Sequence, residues 1–177
     1  MAGAVDAEWA ALLGRGFVIL VTIGSLFPFD RLIRVMDRMR PSWPEQSFLA
    51  QIGHGSYEPA NMPFKRMIDA GEFTRAVRSS RLIIAHAGMG SVIAAMEARV
   101  PIVILPRRME LGEHTTDHQM ATARWLDGKP GIHVAFDDAD LAKTIDHALS
   151  LDSELSGVPV TAPDKFIAKI RSFIENA

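Results

Sequence analysis

At 177 residues the chain has the length of one domain, with room for a small extension. Its 48% hydrophobic and 23% charged residues are those of a soluble globular protein, and a net charge of −2 argues against a general nucleic-acid binder, which carries a basic face. The absence of cysteine removes a disulfide framework and thiolate chemistry, which fits a reducing cytosol.

Residues 1–15 read as an N-terminal extension or leader helix, with the folded domain over 16–177. FVILVTI (17–23) is too short to span a bilayer, lacks signal-peptide flanks and reads as a buried strand. GSLFPF follows as a loop, and a helix runs from about Asp30 to Arg40, stopped by Pro41. SFLAQI (47–52) is the second strand, ended by Gly53 and Gly55, and NMPFKRMI holds a short extended piece. GEFTRAVRSS is helical, RLIIA a strand, SVIAAMEA a helix and PIVIL a strand. HTTDHQMATARWLD is expected to be a helix, IHVAF a short strand and DADLAKTIDHAL a helix. PDKFIAKIRSFIE closes the chain as an amphipathic helix, with Phe166, Ile170, Phe173 and Ile174 on one face. Continuously apolar strands separated by helices imply a parallel sheet covered on both sides, a doubly wound, Rossmann-like α/β domain.

In such a sheet the ligand sits beyond the carboxyl ends of the strands. AHAGMGS places His86, Gly88, Met89, Gly90 and Ser91 there, between a strand and a helix. Gly88 and Gly90 let the backbone approach a ligand, and the free N–H groups and dipole of the next helix favour an anion. A capping box would need an acid or amide at position 94, where Ala94 stands. A tight turn that merely needs glycines is the alternative. VTIGSL repeats the arrangement with Gly24 and Ser25, so two glycine turns can converge on one diphosphate. Neither stretch matches G-x-G-x-x-G or the P-loop.

Four segments carry a resemblance: VTIGSLFPFDRLIRVMD, AQIGHGSYEP, AHAGMGSVIAAME and PRRMELGEHTTDHQMATA. Together, in this order, they resemble the nucleotide-sugar-binding half of glycosyltransferase family 28. Within it they are most similar to the soluble subunit of two-part bacterial exopolysaccharide glycosyltransferases, a group similar to the soluble subunit of the eukaryotic dolichol-linked N-acetylglucosaminyltransferase. The resemblance spans roughly residues 17–150. It implies a GT-B C-terminal-type domain binding a UDP-sugar as substrate, with no cofactor and no metal. It also implies a separate membrane-attached polypeptide that binds a lipid-linked saccharide acceptor. The chain is then expected to be cytoplasmic, held at the inner face of the membrane through that partner.

By the same resemblance, Gly24 and Ser25 match the first phosphate-side loop, and His86, Gly88, Gly90 and Ser91 match the diphosphate-binding turn. Relatives hold the ribose with a glutamate seven residues before the next strand's proline; counting back from Pro101 reaches Ala94, a departure. Glu97, where the exopolysaccharide group carries its glutamate, is a substitute ribose contact or a solvated helix residue. Asp117, His118 and Gln119 match the element near the donor sugar, where carboxylate and amide read hydroxyls. Arg107 and Arg108 follow PIVIL at the ligand end of the sheet. They are solvated surface arginines, or one pairs with a diphosphate or a sugar carboxylate, which favours UDP-glucuronate and then UDP-glucose as donor.

Two other constellations compete. His114 and His118 stand at i and i+4 on one face of the expected helix, a metal-ligand spacing, with His86 or Glu113 as a third ligand, which would suggest a metallohydrolase. Asp138 and Asp140 have D-x-D spacing but open a helix, where aspartates cap free N–H groups. The expected function is the donor-binding catalytic subunit of an inverting glycosyltransferase in exopolysaccharide synthesis, inactive without its partner. A non-catalytic nucleotide-sugar-binding regulatory module is the alternative. The partner's docking surface is expected at Leu26-Phe27-Pro28-Phe29, Met89 and the last helix, unless these complete the domain's own core or a homodimer.

Overall fold

The apolar runs are continuous because both faces of the sheet they form are covered. The computed structural model describes residues 2–151 and Ala168. Its strands are β1 (Val18–Thr22), β2 (Ser47–Gln51), β3 (Phe64–Lys65), β4 (Ser80–His86), β5 (Ile102–Leu105) and β6 (Ile132–Val134). Its α-helices are α1 (Ala2–Arg15), α2 (Asp30–Met39), α3 (Ala70–Arg78), α4 (Met89–Ala98), α5 (His118–Leu126) and α6 (Asp138–Ser150). Alternate residues of each strand serve opposite cores. Ile19 and Val21 join Leu82, Ile84, Val103 and Leu105 on one face, beneath α2 and α6. Val18 and Leu20 join Ile83, Ala85, Ile102 and Ile104 on the other, with α1, α3, α4 and α5.

All strand pairs are parallel, in the order β3-β2-β1-β4-β5-β6. The expected doubly wound, Rossmann-like sheet is therefore present. The chain winds from β1 out to β3, then returns to β4 on the other side of β1. Thr22 at the end of β1 lies beside Ala85, next to the last residue of β4, so the switch point opens between these two carboxyl ends.

The structure corrects several local expectations. The helix expected from His114 starts at His118. The preceding residues form a loop because Glu113 and Asp117 accept hydrogen bonds from the backbone N–H groups of Arg108 and Met109, offering the chain an alternative to helix. Phe29 is buried (1% exposed) beneath α2 and belongs to the core, so it leaves the expected docking loop. In α1, Trp9 is equally buried in the second core, and Lys65 ties Asp6 to Glu72. The aspartate that caps α6 is Asp137, whose carboxylate accepts from Ala139 and Asp140, while Asp138 pairs with Arg31. The expected last helix, Pro163 to Glu175, lies outside the described residues.

Candidate functional site

The polar residues that end the apolar strands build the floor of a cleft of about 470 Å³ at the switch point. Thr22 closes β1 and Gln51 closes β2. Thr22 Oγ1 donates to Gln51 Oε1 at 2.7 Å, and Gln51 Nε2 donates to the Gly24 and Arg66 carbonyls at 3.0 and 3.1 Å. This network fixes the start of the β1–α2 loop, where Gly24 takes a φ of +73° that suits glycine.

His86 closes β4, and its imidazole lies between the two glycine turns. A Cβ on Gly24 would come within 2.9 Å of His86 Cε1, and one on Gly88 would run into Nε2. The two glycines thus make room for this ring, which the sequence does not reveal. Burial, then the charge of Arg107 and the neighbouring His114, pull the His86 pKa down to about 4; the Thr22 backbone opposes this without closing a hydrogen bond on Nδ1. At neutral pH the ring is uncharged and is a hydrogen-bonding group rather than a cation.

Above the ring, α4 begins after Gly88, which carries no side-chain cap. Val92 N already donates to the Gly88 carbonyl at 3.3 Å, which leaves the amides of Met89, Gly90 and Ser91 for a ligand. Gly90 faces open space, since a Cβ there meets nothing within 4 Å. A ten-residue helix aimed this way presents the partial positive charge of its dipole. Such a helix end is suited to an anion, phosphate among them.

The β5–α5 segment forms the next wall. Arg107 is 2% exposed, and its Nη2 donates to the Ile23 and Phe27 carbonyls at 2.7 and 2.6 Å. Its guanidinium lies 5.0 Å from the Phe29 ring centre. Burial lowers its pKa to about 10, offset in part by Glu113, so it stays protonated at neutral pH. Gln119 Oε1 accepts from Arg107 N at 3.1 Å, and the His114 ring packs tilted against Phe27, with ring centres 5.1 Å apart. Arg31 secures this wall: it makes two hydrogen bonds to Glu113, reaches the Pro106 carbonyl and pairs with Asp138. Met67, Ile68, Ala70 and Phe73 line the opposite wall with Asp69, whose carboxylate caps α3.

Of the residues singled out in the sequence, Gly24, Ser25, His86, Gly90, Ser91, Arg107 and Gln119 come together in this cleft. Gly88 abuts His86, and Met89 is half exposed at the start of α4. Glu97 is exposed further along α4 and does not line the cleft. Arg108 turns away from Arg107: its Nη2 donates to the Phe136 carbonyl, and it lines a separate hollow with Glu110 and Asp117. His118 is exposed on α5 and also lies off the cleft. Arg107, expected to be solvated or to pair with a diphosphate or sugar carboxylate, is buried at the cleft with its Nη2 engaged by two backbone carbonyls. His114 precedes α5, so it and His118 do not share a helix face, and Glu113 is engaged by Arg31. Among the described residues, no three His, Asp or Glu side chains converge as metal ligands. Thr22, Gln51, Asp69, Phe73 and the cleft-facing position of His114 escaped the sequence reading. Polar residues ending apolar runs were the available signal for Thr22 and Gln51.

The profile of the Glycosyltransferase family 28 C-terminal domain matches residues 18–126. No curated protein sequence matches the chain. Among solved structures, the spinosyn forosaminyltransferase SpnP is similar at a TM-score of 0.60 and 15% identity, over 90% of this chain and 44% of its own. MurG of Acinetobacter baumannii is similar at a TM-score of 0.53 and 20% identity, over 79% of this chain and 42% of its own. ALG13 is similar at a TM-score of 0.55 and 14% identity, over 87% of this chain and 94% of its own. The chain thus spans less than half of the first two proteins and nearly all of the third.

Proposed function

Because the chain belongs to glycosyltransferase family 28 through that family's C-terminal, donor-binding domain, we propose that it binds a UDP-sugar as the catalytic donor subunit of a two-part inverting enzyme. The observation that carries this reading is the uncapped start of α4 above neutral His86, at the switch point of the sheet. In the proposed reaction the acceptor hydroxyl attacks the anomeric carbon from the face opposite UDP. The bond from that carbon to the diphosphate oxygen breaks, and UDP departs with the electron pair. The α4 amides and the His86 ring stabilise the charge on the leaving diphosphate. The acceptor proton passes to a base on a second polypeptide, which also holds a lipid-linked saccharide. No cofactor is required, and the helix end does the work a metal does elsewhere, so binding should not depend on magnesium.

The partner and its place at the membrane follow from the family resemblance and from the cleft's apolar rim. Leu26 is 82% exposed, Met67 47% and Phe27 39%. No helix among the described residues is long and apolar enough to cross a membrane; in this reading the companion supplies attachment to the inner face. Exopolysaccharide synthesis is the setting the resemblance favours, with a hexose or hexuronic acid as the sugar moved. Calorimetric titration of UDP and UDP-sugars, with and without magnesium, tests donor binding. Transfer to a lipid-linked acceptor with and without a co-expressed membrane companion separates a catalytic subunit from a regulatory nucleotide-sugar binder. Absence of UDP binding by the folded chain would reject the reading.

A further inference from the structure

Arg107 poses a problem that the proposed function leaves open. It is almost fully buried, and no carboxylate among the described residues lies within ion-pair distance of it. Its Nε is buried without a hydrogen-bond partner. A buried cation in this state is costly, and an apolar side chain of similar volume would fill the space more cheaply. What the guanidinium does contact is specific. Its Nη2 reaches the Ile23 and Phe27 carbonyls, which bracket the Gly24–Leu26 stretch of the β1–α2 loop. The same loop leans on the same wall a second time, through Phe27 against His114. Gly24 and Ser25, held inside this clasp, line the cleft together with Gly90 and Ser91 at the start of α4.

Resting on the UDP-sugar reading, we infer that Arg107 is a positioning residue that clasps the Ile23–Phe27 loop against the β5–α5 wall, rather than a residue that reads the donor sugar. The clasp sets the distance between the two glycine turns that receive the diphosphate. The charge acts at a remove. The groups that face His86 are Arg107 and His114 from the β5–α5 segment and the Thr22 backbone from β1, with Gly24 and Gly88 packed on the ring and Asp69 on the far wall. Of these, Arg107 is the strongest charged influence, and it disfavours the imidazolium. Arg107 therefore supports any UDP-sugar equally, and donor choice is made elsewhere in the cleft.

The test uses Arg107→Met and Arg107→Lys in the full chain. Three measurements apply: amide exchange of residues 24–29 in the free protein, titration of the His86 ring by NMR in the free protein, and calorimetry with UDP, UDP-glucose and UDP-glucuronate. In Arg107→Met, exchange at 24–29 should accelerate while the Gly53–Ser56 turn is unchanged. The His86 midpoint should rise from about 4 yet stay below the ordinary 6.5, because burial remains. Affinity should fall roughly tenfold for all three ligands alike, as an unclasped loop must be ordered on binding. Arg107→Lys keeps the charge, but its Nζ ends one bond short of the position of Nη2 and loses both carbonyls, so His86 should stay low while loop exchange still accelerates. Unchanged exchange and an unchanged His86 midpoint in folded Arg107→Met would overturn the inference. A loss more than tenfold greater for UDP-glucuronate than for UDP would overturn it as well. Should the methionine variant fail to fold, unchanged loop exchange in Arg107→Lys overturns the clasp. Failure of the wild-type chain to bind UDP would remove the donor reading, while the two free-protein measurements still decide the clasp.

Discussion

His86 ties protonation to folding. In the unfolded chain its ring binds a proton near pH 6.5, and in the folded chain not until about pH 4. Between those values the unfolded state holds the extra proton, so stability falls as the pH drops from 6.5 to 4 and levels off below. The full effect is on the order of 3 kcal/mol. Urea unfolding of wild type and His86→Asn across that range should show a steeper acid loss in wild type. His133, also held low by burial and by His147, contributes equally to both proteins. Parallel curves would show that His86 is not buried as described. The glycines around the ring give two further expectations. Gly88→Ala should cost about 1–3 kcal/mol by overpacking against the imidazole, and shortening the ring to His86→Ala should recover part of it. Gly90→Asp meets open space, so it should fold normally but place a carboxylate where the diphosphate binds. UDP affinity should then fall by at least about tenfold, and an unchanged calorimetric isotherm would move the ligand away from the start of α4.

Elements carry the wall of the cleft as much as single residues do. Arg31, on the first turn of α2, reaches across to Glu113 in the β5–α5 loop and to Asp138 at the start of α6. Glu113 also accepts from Arg108 N, so this carboxylate sets the path of a segment that holds a single short 3-10 turn, Met109–Leu111. Glu113→Gln should lose about 1.5–3 kcal/mol of stability. In a double-mutant cycle with Arg31→Met the two losses should not add, because both report one network. Additive losses would mean that the loop is held by something else. On the other side of the sheet, α1 joins the core through Trp9, which places an element that reads as an extension on the folded body. Trp9→Ala should destabilise by about 3–5 kcal/mol, measured by thermal or urea unfolding. A shift within error would show that α1 is dispensable.

At the scale of the whole molecule, the cleft is open on the side rimmed by Leu26, Phe27 and Met67. Apolar side chains around a polar cleft suit a second protein surface that excludes water from the reaction. On the two-part reading, Leu26→Gln, which adds no charge beside the diphosphate turn, should weaken association with a membrane companion more than it weakens UDP binding, read by co-purification, transfer rate and calorimetry. Leu26 is the better probe than Phe27, because Phe27 is also part of the loop clasp. Full transfer by the isolated chain, unaffected by any companion, would show that the enzyme is complete without one.

The architecture was legible in the chain's local pattern. Continuously apolar strands, helix-forming spacers and glycine turns at strand ends admit one arrangement, a parallel sheet with its ligand at the carboxyl edge, and local hydrophobic pattern is enough to say so. The sequence also located the glycine turns, because a residue without a Cβ is visible in any sequence. The reason those glycines are there emerges only from the folded contacts. The approach of His86 to Gly24 joins residues from β4 and the β1–α2 loop, and no local pattern records a contact of that range. The same holds for Arg107 and Arg108. Adjacent in the chain and equal in charge, they diverge because the carbonyls of Ile23 and Phe27 lie to one side of β5 and that of Phe136 to the other. A helix boundary such as His118 was hidden for a related reason. Glu113 and Asp117 form hydrogen bonds to a backbone that has already turned, and that turn depends on Arg31 arriving from another element.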